Sequence, residues 1–287
     1  MRPGRSRLRQ QQCRLAIGLV LPALVLICAL VVYPLGYAIY KSFTNPSGDW
    51  SFSNFELALE SGGFQVALWN TVRFTALMVL LEIALGLPIA LALQEIGRRK
   101  RNVLRALFLI PLLIAPVVAA YEWEWLLNNQ YGLFSQILDK LGLTAPLWLA
   151  NPHWAFVTII LVDIWSATPF AILIFQAALA SFPVEVYDAA RVDGASRMQA
   201  FWFITRPLLK PAFGVVLVIR TMDAFRIYDI IQVLTGGGPG TATQSLSTLT
   251  EKTGVYFGQL NLASAMAVLT LLPILAVTLV YLKWIRV

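Results

Sequence analysis

Between residues 15 and 40 the sequence carries no charged side chain. Such a run exceeds the roughly 20 residues of helix that cross a hydrocarbon core, and a backbone in lipid must satisfy its own hydrogen bonds. It reads as a membrane-spanning helix. Five further apolar runs follow, at about 66–94, 103–127, 154–180, 207–234 and 262–282. With 58% of its 287 residues apolar and 13% charged, the chain is expected to be an all-α polytopic membrane protein. A signal peptide is the competing reading of the N-terminus, because Arg2, Arg5, Arg7, Arg9 and Arg14 precede the first run. The run is too long for one, and no small-residue cleavage site closes it. We expect a cytoplasmic basic tail at 1–14, a first transmembrane helix at 15–42 and a five-helix core at 66–285.

Lysine and arginine test that layout independently of hydropathy. With the N-terminus inside, the tail, residues 98–105, residues 191–210 and the C-terminus hold sixteen of the 22 Lys and Arg residues. Outer segments hold only Lys41, Lys140 and Lys252. Six spans with both termini cytoplasmic fit the rule. The net charge of +7 follows the membrane, so no nucleic-acid partner is implied. Cys13 and Cys28 suggest no disulfide framework, and the lone His153 cannot build a metal site.

Polar groups inside spans cost on the order of 2.5–3.5 kcal/mol each at the centre, so each needs a partner helix or an aqueous cavity. Asn70, Arg73 and Glu82 lie in the second run and Asp163 in the fourth. The fifth carries Lys210, Arg220, Asp223, Arg226 and Asp229, with opposite charges at three-residue steps that can pair on a helix. Pro111 and Pro116 predict a kinked or broken third helix. The YEWEW sequence ending that run, with Glu122, Trp123, Glu124 and Trp125, reads as an interfacial belt or as a sugar contact at the outer mouth.

The polar stretch 184–211 stands apart. Its periodicity predicts helices at 184–192 and 196–204 around a turn at Gly194, with Glu185 and Asp188 near the positive end of the first. Ala189 and Ala190 leave one face bare, suited to a cleft in another protein; an ordinary cytoplasmic loop has the same composition. Farther on, Thr235, Gly236, Gly237, Gly238 and Pro239 form an outer loop that no helix can continue through. It is not a phosphate cradle, since no Gly-Lys-Ser/Thr follows.

Asp188, Ala189, Ala190, Asp193, Gly194 and Ala195, followed by Ile204 and Pro207, resemble the EAA loop of ABC-importer permeases. Leu234 to Pro239, preceded by Tyr228 and Asp229, is similar to the outer loop of the carbohydrate branch, as is Asn70-Thr71. The resemblance implies a type I ABC importer permease (MetI-like) fold of six transmembrane helices in the bacterial plasma (inner) membrane. It implies a cytoplasmic coupling helix within the loop 181–206 and an outer Gly-rich loop at 235–261. The implied partners are a second homologous permease, two ATPase subunits carrying the ATP and Mg, and an extracytoplasmic sugar-binding protein. This chain itself would bind no cofactor and catalyse no reaction. Glu185, Asp188, Ala189, Ala190, Asp193, Gly194 and Ala195 are implied to couple to the ATPase. Asp188 stands where the family has Glu, which shortens the reach of the carboxylate, and Arg206 stands where it has Leu.

Sugar hydroxyls need paired donors and acceptors, which makes Asn70, Glu82, Asp163, Arg220, Asp223, Tyr228 and Gln232 the expected substrate pathway. The balance of acids and arginines within the spans favours a neutral sugar over glycerol phosphate, and the resemblance implies a disaccharide such as trehalose or maltose. The competing readings are a membrane glycosyltransferase using Glu122, Glu124 and Asp163, and a self-sufficient channel or secondary transporter.

Overall fold

A computed structural model describes the backbone of residues 4–286, and among the described residues it is helical with no strand. The first three residues of the basic tail, and its side chains, lie outside the described residues. Helix α1 (Gly4–Ile27) passes through a π-helical turn at Cys28–Val32 into α2 (Tyr33–Ser42). The helix of the first span therefore begins within the segment expected to be a tail. No described side chain of that span is buried before its last residue, Ser42; only the α2 end packs, against the last helix of the chain.

The loop expected at 41–65 contains a short helix, α3 (Ser53–Glu60), tied back by Asn54, whose amide donates to the Ser42 and Thr44 carbonyls. The second run forms α4 (Gly62–Gln94), a single helix of 33 residues whose first turn is capped by Ser61. At 1.5 Å per residue it is about 50 Å long.

The third run breaks where its prolines predict. It consists of α5 (Arg98–Leu109), a 3₁₀ turn at Pro111–Leu113 and α6 (Pro116–Leu126). Each proline opens a helical turn, where its missing N–H is no loss. The following loop holds α7 (Leu133–Lys140), after which Asn151 caps α8 (Pro152–Ala180).

The polar stretch forms α9 (Val184–Val192), matching the expected first helix, and α10 (Arg197–Ala200), which opens on a Ser196–Gln199 capping box. The second helix does not end near 204. It runs on through a π-helical turn at Phe201–Thr205 into α11 (Arg206–Phe225). The fifth span is not continuous to 234 either: the helix stops at Phe225 and resumes as α12 (Asp229–Leu234). Helix α13 (Leu246–Glu251) leads through a π turn at Lys252–Tyr256 to α14 (Leu260–Arg286).

Five stretches are long and apolar enough to cross a membrane: Ile17–Ser42, Gly62–Gln94, Pro152–Ala180, Arg197–Leu234 and Leu260–Tyr281. The split third run supplies two shorter helices in series in place of one long one. At the centre α4 packs against α8 and α11, and its largest contact is with α8. Gly86 makes that approach possible: a Cβ there would lie 2.9 Å from the Cβ of Ala171, and small residues are how membrane helices come close. Phe74 and Phe156 stack across the same seam, ring centres 4.3 Å apart.

Candidate functional site

Three helices of that bundle meet at one guanidinium. Arg220 of α11 donates through Nε and Nη2 to both carboxylate oxygens of Glu82 on α4, at 2.6 and 2.7 Å, and through Nη2 to Asp163 on α8 at 3.1 Å. Its Nη1 lies 3.7 Å from Asp223, which pairs in turn with Arg226 at 3.2 Å. The pairing at three-residue steps thus occurs, but the stronger bonds run between helices. Glu82 is 0% exposed. A buried carboxylate survives only when paired and hydrogen-bonded, and the planar fork of arginine satisfies both of its oxygens at once.

Beside this cluster opens a cavity of about 560 Å³, where the two interrupted runs converge. Pro111, Leu112, Ile114 and Pro116 come from the break between α5 and α6, and Arg226, Ile227 and Tyr228 from the break between α11 and α12. Asp163, Ser166, Arg220, Asp223 and Asp229 complete its polar lining, with Phe170 among the apolar groups. The second break has no Pro or Gly to cause it. It is held from outside, by the Ser245 hydroxyl donating to the Ile227 carbonyl at 3.0 Å. Irregular backbone at membrane depth is tolerated where it is buried in protein or lines a cavity, and this backbone does both.

Of the seven residues expected along a substrate path, the cavity gathers four: Asp163, Arg220, Asp223 and Tyr228. Glu82 stands behind Arg220, away from the lining. Gln232 lies on α12 outside the lining, and its buried Oε1 has no hydrogen-bond partner among the described residues. Asn70 belongs to a different structure. Its amide donates to the Thr241 and Gln244 carbonyls, both at 3.1 Å, while the Thr71 hydroxyl accepts the N–H of Leu246 at 2.9 Å. The Asn70-Thr71 pair therefore fastens the Gly-rich loop to α4. Within that loop the Thr235 and Thr243 hydroxyls bond at 2.8 Å, and Lys252 donates to the Gly236 carbonyl at 2.6 Å.

The stretch 184–211 sits at the other end of α4, where Arg197 pairs with Glu95 at 3.3 Å. Asn70 and Glu95 are about 37 Å apart along the helix axis, with Glu82 near the middle. All seven expected coupling residues are exposed or half-buried, and no residue of α9 is buried. Gly194 takes φ +74° with open space where a Cβ would be, so its need is conformational and not one of close packing. Asp188 pairs with Arg191 on the surface, at 3.2 Å. Val192, 87% exposed, and Met198 leave apolar side chains in the open on this loop. Tyr187 anchors α9 to the π turn, its hydroxyl 3.0 Å from that of Thr205.

Residues 61–286 match the family described as the binding-protein-dependent transport system inner membrane component. The chain belongs to this family. It is a transport subunit of an inner membrane and not an enzyme. A trehalose/maltose transport system permease protein, MalF of Thermococcus litoralis, is 38% identical over 286 residues, covering 97% of this chain and 96% of the relative. A trehalose transport system permease protein, SugA of Mycobacterium tuberculosis, is 36% identical over 252 residues, covering 85% and 80%. A chain from the crystal structure of a bacterial ABC transporter involved in the import of the acidic polysaccharide alginate superposes with a TM-score of 0.87. It is 24% identical and covers 98% of both chains, which establishes the permease fold.

Two features of this permease were beyond sequence reasoning. The cavity-lining residues Ser166 and Phe170 follow Asp163 by one helical turn and two, a spacing that marks a shared face only once the neighbours are known. The break at residues 226–228 bonds to Ser245 through the Ile227 carbonyl, and no local pattern connects the two. The Trp-rich end of α6 divides in two. Trp123 turns inward, stacked on Phe134 and edge-on to Trp165, whereas Trp125 is exposed beside Tyr131. Among the described residues no cluster of His, Cys, Asp or Glu could hold a metal.

Proposed function

We propose that this permease forms one wall of the translocation path for a neutral sugar, a disaccharide such as trehalose or maltose, in an ATP-driven importer. The observation that carries the reading is the cavity halfway along α4, bounded by two broken helices. Its volume of about 560 Å³ falls within the range of small-molecule sites, and discontinuous helices at the midplane are a recurring device of transporter sites. Its lining alternates acceptors (Asp163, Asp223, Asp229), donors (Arg220, Arg226) and hydroxyls (Ser166, Tyr228). That mixture suits a polyhydroxylated solute. It does not suit glycerol phosphate, because three carboxylates oppose two guanidiniums already engaged by acids. The names of the relatives, two of which transport trehalose, support the same class.

In this reading a second permease closes the cavity from the open side, and two ATPase subunits dock on the loop bearing Glu185, Asp188, Ala189, Ala190, Asp193, Gly194 and Ala195. An extracytoplasmic binding protein delivers the sugar at the Gly-rich end. ATP and Mg reside on the ATPase chains. Closure of the ATPase pair displaces α9, the continuous α10–α11 rod carries the movement to Arg220 and Asp223, and the cavity changes the side to which it opens. Both termini then lie in the cytoplasm. The test is uptake of radiolabelled trehalose and maltose into proteoliposomes holding the assembled importer, its binding protein and internal ATP. ATP-dependent uptake that Asp163→Asn, Asp223→Asn or Tyr228→Phe reduces at least several-fold, with ATPase assembly intact, supports the reading. Undiminished uptake by all three variants refutes it.

A further inference from the structure

A second depression, of about 300 Å³, lies at the Gly-rich end of the molecule between α4, the start of α8 and the outer loop. Val66, Asn70, Arg73, His153, Phe156 and Thr241 line it, and no carboxylate does. Arg73 is exposed, and among the described residues it makes no ion pair; its guanidinium rests 4.5 Å from the centre of the Phe156 ring. Deeper in the bundle Arg220 is matched by Glu82 and Asp163, and Arg226 by Asp223. A lone cation in a span needs a counter-charge.

Depth and surroundings indicate its source. About 20 helical residues cross the hydrocarbon core, so counting back from Gln94 sets the outer edge of that core beside Arg73. The face of α4 that carries Arg73 is otherwise apolar and exposed, with Val66 and Trp69 above it and Leu77 and Leu80 below. Trp69, and Trp154 next to His153 in the sequence, are exposed, as aromatic residues at a membrane interface are. We infer that this pocket holds the phosphate of an anionic phospholipid in the leaflet opposite the coupling loop. The Arg73 guanidinium, stacked on Phe156, pairs with the phosphate, and the Asn70–Thr241 edge of the outer loop lies beside the headgroup. The lipid thereby buttresses the loop that Asn70 fastens to α4.

The experiment is native mass spectrometry of the assembled importer released from nanodiscs of mixed phosphatidylglycerol and phosphatidylcholine. The wild type is expected to retain one phosphatidylglycerol per copy of this chain in preference to phosphatidylcholine. Arg73→Gln is expected to lower that retention about fivefold, equivalent to the ~1 kcal/mol that one basic residue contributes at an anionic surface. Equal retention by the variant overturns the proposal. So does loss of the partner permease or of the binding protein from Arg73→Gln, since the counter-charge is then a protein carboxylate. Displacement of the lipid by millimolar inorganic phosphate overturns it in favour of a free-anion site. On the unaltered protein, phosphatidylglycerol with a photoreactive headgroup should label peptides containing Arg73 or His153–Phe156; label spread evenly over the exposed helices also refutes the assignment.

Discussion

Arg220 is the residue on which most depends, because two other helices each turn a buried carboxylate toward it. Removing one member of a buried ion pair strands the other and costs about 3–5 kcal/mol. Arg220→Leu is therefore expected to destabilise the bundle by roughly that amount, whereas Glu82→Gln, which keeps an acceptor for the guanidinium, should cost distinctly less. Thermal unfolding of the two purified variants beside the wild type checks the order; melting temperatures equal to the wild type's would show the cluster to be dispensable. Asn70 is the second such residue. Losing its two bonds to the outer loop should cost about 1–3 kcal/mol, so Asn70→Ala should speed amide hydrogen exchange in residues 235–246 by tenfold or more and leave α8 unchanged. Both residues could be recognised in the sequence as polar groups needing partners. Their partners could not, because Glu82 and Asp163 lie 138 and 57 positions from Arg220, and an apolar run records that a charge must be matched without recording by what.

At the scale of elements, the coupling loop is where local sequence and structure agree most closely. Val184 to Val192, the turn at Gly194 and the cap at Ser196 all follow from short-range rules: a proline before the first turn, a glycine where φ is positive, a Ser-x-x-Gln box. The split of the third run was equally legible from Pro111 and Pro116. The gap between α11 and α12 was not, since Arg226, Ile227 and Tyr228 are ordinary helix residues and the Ile227 carbonyl it frees is met by Ser245, 18 positions away. The φ of +74° at Gly194 separates two substitutions. Alanine there costs about 1–2 kcal/mol for a left-handed conformation and should leave transport largely intact. Proline, fixed near −65°, cannot adopt it, so Gly194→Pro should insert and assemble but hydrolyse ATP without moving sugar. Parallel ATPase and uptake assays on the two variants check this, and normal uptake by Gly194→Pro would remove α9 from the coupling path.

For the molecule as a whole, the apolar runs were legible as helices, five of them long enough to cross a membrane, and α4 is the reference for the rest. Its Glu95 end meets the basic, polar stretch and its Asn70 end the Gly-rich loop. An impermeant thiol reagent should reach a cysteine at Asp193 only from the cytoplasmic side and one at Thr241 only from the outside, in a background lacking Cys13 and Cys28. Labelling of both from one side would exclude a single membrane crossing between them. Because α4 is one unbroken helix about 50 Å long, bound near its middle through the Glu82–Arg220 pair, a tilt of it about that point would move its two ends in opposite senses. A tilt of one degree displaces each tip by roughly 0.4 Å in opposite directions for a rod of that length. Under such a tilt a pull at Glu95 would reach Asn70 with reversed sign, carried by the helix itself.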